Sequence, residues 1–509
     1  MDTRGQIRGS SLLLLGRILS LVTNLVVQVL VVRTLSKEGY GAFAYALSIA
    51  TIGEGLVSLG LHRAVARYVP IYDEQGDRAR AMGSMVLALG STVAAGIAAV
   101  LLVWGLRGWI AGELVQTDGA VMALVILSVL APIQGLDRLF VGFFSVFGRP
   151  RAIFVRRFLV TPALRLLVIA TLILQGGGVV MLAAGYVVTG VLGLAVYGAL
   201  LLRVLRERRY VGSDGPGEWK FPARELFGFA LPLLTTEIVF AGINHADAVM
   251  LGQMAGPEDV ASLRAVYPVA RLNQVVLEMF AVLFTPLAAR YFQRKDFVGL
   301  NELYWRTATW IAILSFPIFA VTFSLARPLT ELLFGERYAD SGSLLALLTF
   351  GYYAHAALGP NGMMLNVYKM VKYVVVVNVL AFALNVGGNL WLIPKMGVQG
   401  AAIATAGTLI VHNLLKQNGL RRAAGVRALD PAALRPYAVL ILGVSVLGVL
   451  ELVWRPSVWV AGGAAAVVSV LVLAVNRRAL NVLDTFPELG RLPWLGRMLG
   501  GKPRPGDSG

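Results

Sequence analysis

Runs of apolar residues long enough to cross a bilayer recur along the whole chain, about fourteen of them, and they leave few ways for the backbone to fold. A spanning helix needs roughly 20 mostly apolar residues. Met82–Trp104, Val179–Leu202, Trp310–Ala326, Val374–Ile393 and Val458–Val475 approach or exceed that length with no charge inside. In hydrocarbon, backbone N–H and C=O groups must pair internally, which admits only helices or closed barrels. Continuous apolar runs fit helices, because barrel strands would alternate apolar and polar residues. The expectation is an all-α polytopic membrane protein of about 14 transmembrane helices.

Composition supports this: 57% of the 509 residues are hydrophobic, and the mean hydropathy of +0.73 excludes an ordinary soluble protein of this length. The formal charge of +17 is not spread evenly. With loops assigned alternately to two sides, 33 of the 45 Lys and Arg residues fall on the side of the N-terminus and 8 on the other. The remaining four, Arg17, Arg138, Arg165 and Arg271, lie within spans. Such asymmetry is the positive-inside rule, and it predicts a plasma-membrane protein with both termini cytoplasmic. It accounts for the basic charge without a nucleic-acid partner, and lipid headgroups are the natural contact of loops such as Arg203–Arg209. The absence of cysteine excludes disulfides and thiolate metal sites. Ser10–Val32 is too long for a cleavable signal and lacks its small-residue cleavage site, so it is read as the first span.

A Gly-rich cytoplasmic connection at Gly212–Gly217 divides the chain. Residues 1–210 form the expected first lobe of six helices, 211–224 the linker and 225–420 a second six-helix lobe. Residues 421–478 carry helices thirteen and fourteen, and 479–509 an interfacial segment with a Gly/Pro/charged tail. Short motifs recur between the lobes at near-constant spacing. Arg63 to Tyr68 is echoed by Pro286 to Tyr291 after 223 positions, Ser145-Val-Phe by Asn366-Val-Tyr after 221, and Leu172-Ile173 by Leu392-Ile393 after 220. An even-numbered unit repeated in this way predicts two lobes related by an axis along the membrane normal.

A charge held at the bilayer centre costs about 2.5–3.5 kcal/mol on insertion scales, so polar residues inside spans should face protein or water. They fall at helical spacing. Arg17, Ser20, Asn24 and Gln28 share a face in the first span, Gln134 and Arg138 in the fourth beside Asp137, and Arg157, Thr161 and Arg165 in the fifth. Arg165 lies about 12 Å beyond Arg157 at 1.5 Å per residue, too deep for a loop charge. The second half differs in kind, with Glu237, Asn244, His245 and Asp247 in the seventh span. Arg264, Tyr267, Arg271, Gln274 and Glu278 follow in the eighth, and Asn378, Asn385 and Asn389 form an amide stripe in the eleventh. The stripe equally suits interhelical glue, and His245 and His355 suit structural hydrogen bonds. The candidate cavity set is Arg17, Asn24, Gln28, Gln134, Arg138, Arg157, Arg165, Arg271, Asn378 and Asn385; Glu54, Glu237, Asp247 and Glu278 are the candidates for ion coupling. No catalytic residue, metal or cofactor is expected.

Leu35 to Tyr45, Leu59-Gly-Leu61, Arg67 to Tyr72 and Gly76-Asp77 together resemble the opening of polysaccharide and O-antigen flippases. Those proteins belong to the multidrug/oligosaccharidyl-lipid/polysaccharide superfamily, and Asp247 to Gly252 is similar to its Asp-x-x-x-Leu-Gly run. The resemblance covers roughly Arg8 to Arg478. It implies two six-helix lobes around a central cavity, two added C-terminal helices, and translocation of lipid-pyrophosphate-linked oligosaccharides. Arg17 matches a basic residue common in the first span of flippases for lipid-linked substrates, whereas Asn24 stands where the lipid II branch has a second one.

The residues themselves agree on the cargo. A pyrophosphate is a compact polyanion that arginine's planar fork holds bidentately, and Asn, Gln and aromatic groups suit sugar hydroxyls. No Gly-x-x-x-x-Gly-Lys-Ser/Thr loop is present to cradle ATP, so the energy must come from an ion or substrate gradient or from a separate subunit. Expected partners are the lipid-linked oligosaccharide, membrane lipids, and the glycosyltransferases and polymerase of the same pathway. The alternatives are a scaffold that transports nothing, a cation-coupled multidrug antiporter, which calls for an acidic and aromatic cavity, and a membrane glycan polymerase or ligase. The latter would need acids or histidines on long outer loops, and Arg33–Tyr40, Gln175–Gly178 and Pro394–Gly400 are short and hold almost nothing titratable.

Overall fold

The computed structural model describes residues 3–110, 112, 118–208, 210, 218–424, 426, 430–454 and 456–480. Among them the secondary structure is helical throughout, without strands. The chain opens with α1 (Thr3–Thr34), α2 (Lys37–Val57), α3 (Leu61–Glu74), α4 (Arg78–Gly105) and the short turn α5 (Arg107–Trp109). α6 (Asp118–Ser128) and α7 (Leu130–Val146) follow, then α8 (Pro150–Phe154), α9 (Thr161–Gln175) and α10 (Val179–Glu207). Beyond the linker come α11 (Ala223–Met254), α12 (Pro257–Ala270), α13 (Val275–Gln293), α14 (Phe297–Ser324), α15 (Ala326–Phe334) and α16 (Ser341–Ala357). The last five are α17 (Asn361–Val367), α18 (Val371–Met396), α19 (Val398–Ala424), α20 (Pro431–Val449) and α21 (Val458–Val475).

Among the described residues ten helices are long and apolar enough to cross a membrane, twelve when each of two pairs bent by 41° and 44° is taken as one span. The remaining two of the fourteen expected segments fall on α1 and on the 17-residue α16. The protein is therefore an all-α polytopic membrane protein, as its hydropathy requires. The interfacial segment and tail expected beyond residue 480 lie outside the described residues.

Helices begin where the side chains can cap them. Ser36 accepts the N–H of Gly39, Asp77 that of Arg80, Asp296 that of Gly299 and Asp430 that of Ala432, each satisfying a donor the helix leaves unpaired. The repeated sequence motifs have a local counterpart in how helices end. Gly76 and Lys295 both close a helix with left-handed backbone, φ 72° and 58°, just ahead of the capping Asp77 and Asp296. Gly148 and Lys369, 221 positions apart, do the same at φ 65° and 60°, as do Gly176 and Gly397 at 63° and 57°. In each of the first two pairs the next residue donates its N–H five positions back: Asp77 to Tyr72, Asp296 to Tyr291, Arg149 to Phe144 and Met370 to Leu365.

Two compact units are present, Met1–Ala265 with Asn385–Ala401, and Val266–Leu384 with Ala402–Gly509. In the first, Leu61, Val65 and Val69 of α3, Met82 and Met85 of α4, Phe143 and Phe144 of α7 and Tyr197 of α10 form a core with Leu226 and Ala230 of α11. The segment around the linker is tied to it: Tyr72 donates to Glu225 at 2.5 Å and Tyr210 donates to Asp73. Burial, and then the Asp73 carboxylate, raise the Tyr210 phenol above its usual range. The second unit has cores around Trp305, Trp310 and Phe284, and around Phe316, Phe319 and Tyr353.

Close helix contacts depend on glycine in places. A Cβ on Gly41 of α2 would lie 1.8 Å from the carbonyl oxygen of Pro257, a backbone atom that cannot step aside. Gly41→Ala should destabilise the detergent-solubilised protein by about 1–3 kcal/mol, as overpacking does. Lys369→Gly should stabilise it by about 1 kcal/mol by removing a Cβ from a left-handed position. Opposite shifts of the thermal unfolding midpoint are the expected outcome, and equal midpoints for both variants would show these sites to be unstrained.

Candidate functional site

The first unit gathers the intramembrane charges into pairs. Adjacent residues of an α-helix point about 100° apart, so Asp137 and Arg138 of α7 serve different neighbours. Arg138 places Nε 2.6 Å from Glu54 of α2 and Nη1 3.0 Å from Glu237 of α11. Arg63, at the start of α3, pairs with the other oxygen of Glu237, and His62 Nε2 lies 4.0 Å from it. Glu54 is buried, 3% exposed, and an ionised carboxylate there requires the guanidinium beside it. Two glutamates and two arginines thus close a network with no net charge.

Asp137 turns the other way, 2.6 Å from Arg156 Nη1. Arg156 belongs to a π-helical turn, Val155–Val160, ahead of α9, and its guanidinium carbon lies 4.9 Å from the ring centre of buried Tyr197. A third pair joins Asp247 of α11 to Arg264 of α12 at 2.9 Å, and the same Arg264 nitrogen reaches the Asn244 carbonyl at 3.0 Å and lies 3.5 Å from His245 Nδ1. Gln28 donates to the Tyr40 hydroxyl and approaches the Arg264 carbonyl at 3.5 Å.

Arg165 is different. It is half-buried in α9, with Nη1 3.4 Å from Asn24 Oδ1 of α1 and its guanidinium carbon 5.1 Å from the ring centre of Tyr186 of α10. Among the described residues no carboxylate pairs with it. Asn24 in turn donates to Ser20 Oγ at 3.0 Å.

The structure therefore brings together some of the expected residues and separates others. Glu54, Glu237 and Arg138 meet, as do Asn24 and Arg165. Gln134 is half-buried one turn before Arg138, and Arg157 is exposed. The side chain of Arg17 lies outside the described residues. Asn385 and Asn389 bond to each other along one helix at 3.1 Å, whereas Asn378 meets His412 Nε2 at 2.8 Å. Arg271 is exposed in a 3-10 turn, and Glu278 is half-buried in the first turn of α13. Arg63, Arg156 and His62 were missed by sequence reasoning, because they stand at span edges where a basic residue has a topological explanation.

These features define a polytopic membrane protein whose helices carry compensated charge pairs. The model of the family described as polysaccharide biosynthesis protein matches residues 7–292, more than half of the chain, and the chain belongs to that family. It is the family anticipated from the motifs. A second model, MatE, matches residues 232–391.

Solved structures share the fold. The lipid II flippase MurJ in an inward closed conformation is 13% identical with a TM-score of 0.70, covering 93% of this chain and 99% of that one. An inward-facing multidrug resistance MATE family transporter of the MOP superfamily is 14% identical with a TM-score of 0.65, covering 80% and 95%. The MATE multidrug transporter DinF-BH is 14% identical with a TM-score of 0.59, covering 84% and 98%. Searching curated proteins gave no match.

Arg138→Met should leave Glu54 without its counter-charge while Glu237 keeps Arg63. The expected cost is about 3 kcal/mol, the lower end for an orphaned buried charge, since Arg138 is itself partly open to solvent. Adding Glu54→Gln should recover most of the loss. Unfolding midpoints of wild type, single and double variants check this, and a double variant no more stable than Arg138→Met would dismiss the pairing as the cause.

Proposed function

We propose that this protein is a flippase that carries a polyprenyl-pyrophosphate-linked oligosaccharide from the cytoplasmic to the outer leaflet by alternating access. The carrying observation is Arg165. Arg138, Arg156 and Arg264 are committed to carboxylates, whereas Arg165 is held by an amide and an aromatic face. Its N–H fork is thereby oriented while no carboxylate among the described residues pairs with it. A guanidinium cannot shed its proton, so an anion is the fitting counterpart, and pyrophosphate matches the fork bidentately. Family membership in polysaccharide biosynthesis points to the same cargo.

The multidrug alternative asks for carboxylates ready to take a cation. In the first unit Glu54, Asp137, Glu237 and Asp247 each have an arginine instead. Ion coupling at Glu54 or Glu237 would require Arg138 to exchange partners, and at Asp247 it would require Arg264 to withdraw; Glu278 is the further candidate. The membrane potential supplies about 2.3 kcal/mol per charge per 100 mV to such a step.

The lipid tail stays in the bilayer, since each buried CH₂ is worth about 0.8 kcal/mol, and the headgroup alone needs shelter. Both termini are assigned to the cytoplasm of a plasma-membrane protein, with Arg17, Gln28, Gln134 and Arg157 as further contacts of the headgroup or sugars. Glycosyltransferases would supply the cargo and a polymerase would consume it.

Arg165→Gln should abolish surface polysaccharide in a cell that depends on this protein, with the variant present in the membrane at normal amount. Arg165→Lys should retain part of the export, because an ammonium keeps the charge and loses the fork. Export by the Gln variant at the wild-type rate would remove phosphate recognition from this residue.

A further inference from the structure

An arginine that meets a mobile cargo must be held still, because its long side chain otherwise loses much rotamer freedom on binding. In the first unit Arg138, Arg156 and Arg264 are held by carboxylates, contacts that also answer their charge. Arg165 is held in another way.

α9 and α10 approach closely beside it. A Cβ on Gly185 of α10 would lie 2.2 Å from Cγ1 of Val168, a residue stiff at χ1 and one turn beyond Arg165 on α9. This approach brings the next residue, Tyr186, against the guanidinium, whose carbon is 5.1 Å from the ring centre. Tyr186 is itself fixed by Phe43 of α2, a buried ring that crosses it at 72° with centroids 5.2 Å apart. From α1, Asn24 Oδ1 accepts from Arg165 Nη1 at 3.4 Å, while its amide nitrogen donates to Ser20 Oγ at 3.0 Å. A flipped amide would set a donor against the guanidinium, so this orientation of Asn24 is the consistent one. A bond of 3.4 Å is long; it steers the fork, and the aromatic face carries more of the hold. Among the described residues Arg165 Nε and Nη2 make no hydrogen bond. Those two nitrogens share one edge of the planar group, and such an edge takes two oxygens bidentately.

We propose that Asn24 and Tyr186 are the positioning residues of the headgroup site, a proposal that rests on Arg165 as the phosphate ligand of the flippase reading. A neutral amide and an aromatic face hold the guanidinium and present its Nε–Nη2 edge to two oxygens of a pyrophosphate. Neutrality at position 24 then decides whether the site takes an anion. A carboxylate there would bring Arg165 to the condition of Arg138, Arg156 and Arg264.

The test measures binding of geranylgeranyl pyrophosphate to the full-length protein in phosphatidylcholine nanodiscs by native mass spectrometry, with geranylgeraniol reporting the lipid tail alone. Arg165→Gln should weaken pyrophosphate binding about tenfold, the loss of a charge-assisted hydrogen bond. Tyr186→Leu should weaken it about fivefold, and Tyr186→Phe, which keeps the face, should recover most of that. Asn24→Asp should approach the Arg165→Gln value. Geranylgeraniol binding should stay constant throughout. In the Arg165→Gln background Tyr186→Leu should cost nothing further, a non-additivity that a merely structural role would not produce. Additive losses, a parallel loss of geranylgeraniol binding, or wild-type affinity in Tyr186→Leu or Asn24→Asp while Arg165→Gln is weakened overturn the positioning roles and leave the flippase reading standing. Wild-type affinity in Arg165→Gln removes the phosphate ligand on which both stand.

Discussion

A charge inside a bilayer must be answered by another charge, by water or by the loss of a proton, and the first unit is organised by that requirement. Glu54, Asp137, Glu237 and Asp247 are answered by arginines from other helices. These contacts link α2, α3, α7 and α11 into one arrangement, and α7 with the π-turn before α9 into another. Removing an arginine leaves a buried carboxylate such as Glu54 unanswered, which is why breaking such pairs costs more than the pair itself contributes. Apolar packing around Phe143, Tyr197 and Leu226 supplies bulk, while the ion pairs decide which faces meet.

Against that background a cation that no carboxylate among the described residues pairs with gains meaning. Arg165 is a planar fork propped by Asn24 and Tyr186. An anionic cargo is the counterpart proposed for it. The acid-rich cavity of a cation exporter would show the reverse pattern, with carboxylates left over.

Much of the fold was legible in the sequence, because a hydrocarbon solvent forces spans to announce themselves as apolar runs. Left-handed turns at Gly76, Gly148 and Gly176 recur at Lys295, Lys369 and Gly397, matching the motif spacing even where glycine is absent. The site was less legible, since a stripe on one helix says nothing of what faces it. Arg138 was read as a phosphate ligand from its depth, and its carboxylate partners come from Glu54 and Glu237, far away in sequence. Asn385 of the expected cavity set accepts a hydrogen bond from Asn389 one turn on. Arg63 and Arg156 were assigned to loops, because a basic residue at a span edge satisfies the topology rule whether or not it also pairs with an acid.

The neighbouring residues Asp137 and Arg138 have a mechanical consequence. Their side chains leave α7 about 100° apart and are anchored to different neighbours, one to Arg156 and the other to Glu54 and Glu237. Turning the helix about its own axis slackens one anchor only by pulling on the other, so the dipeptide acts as a torsional lock. Within the first unit these two sets of ion pairs together resist rotation of α7 about its own axis.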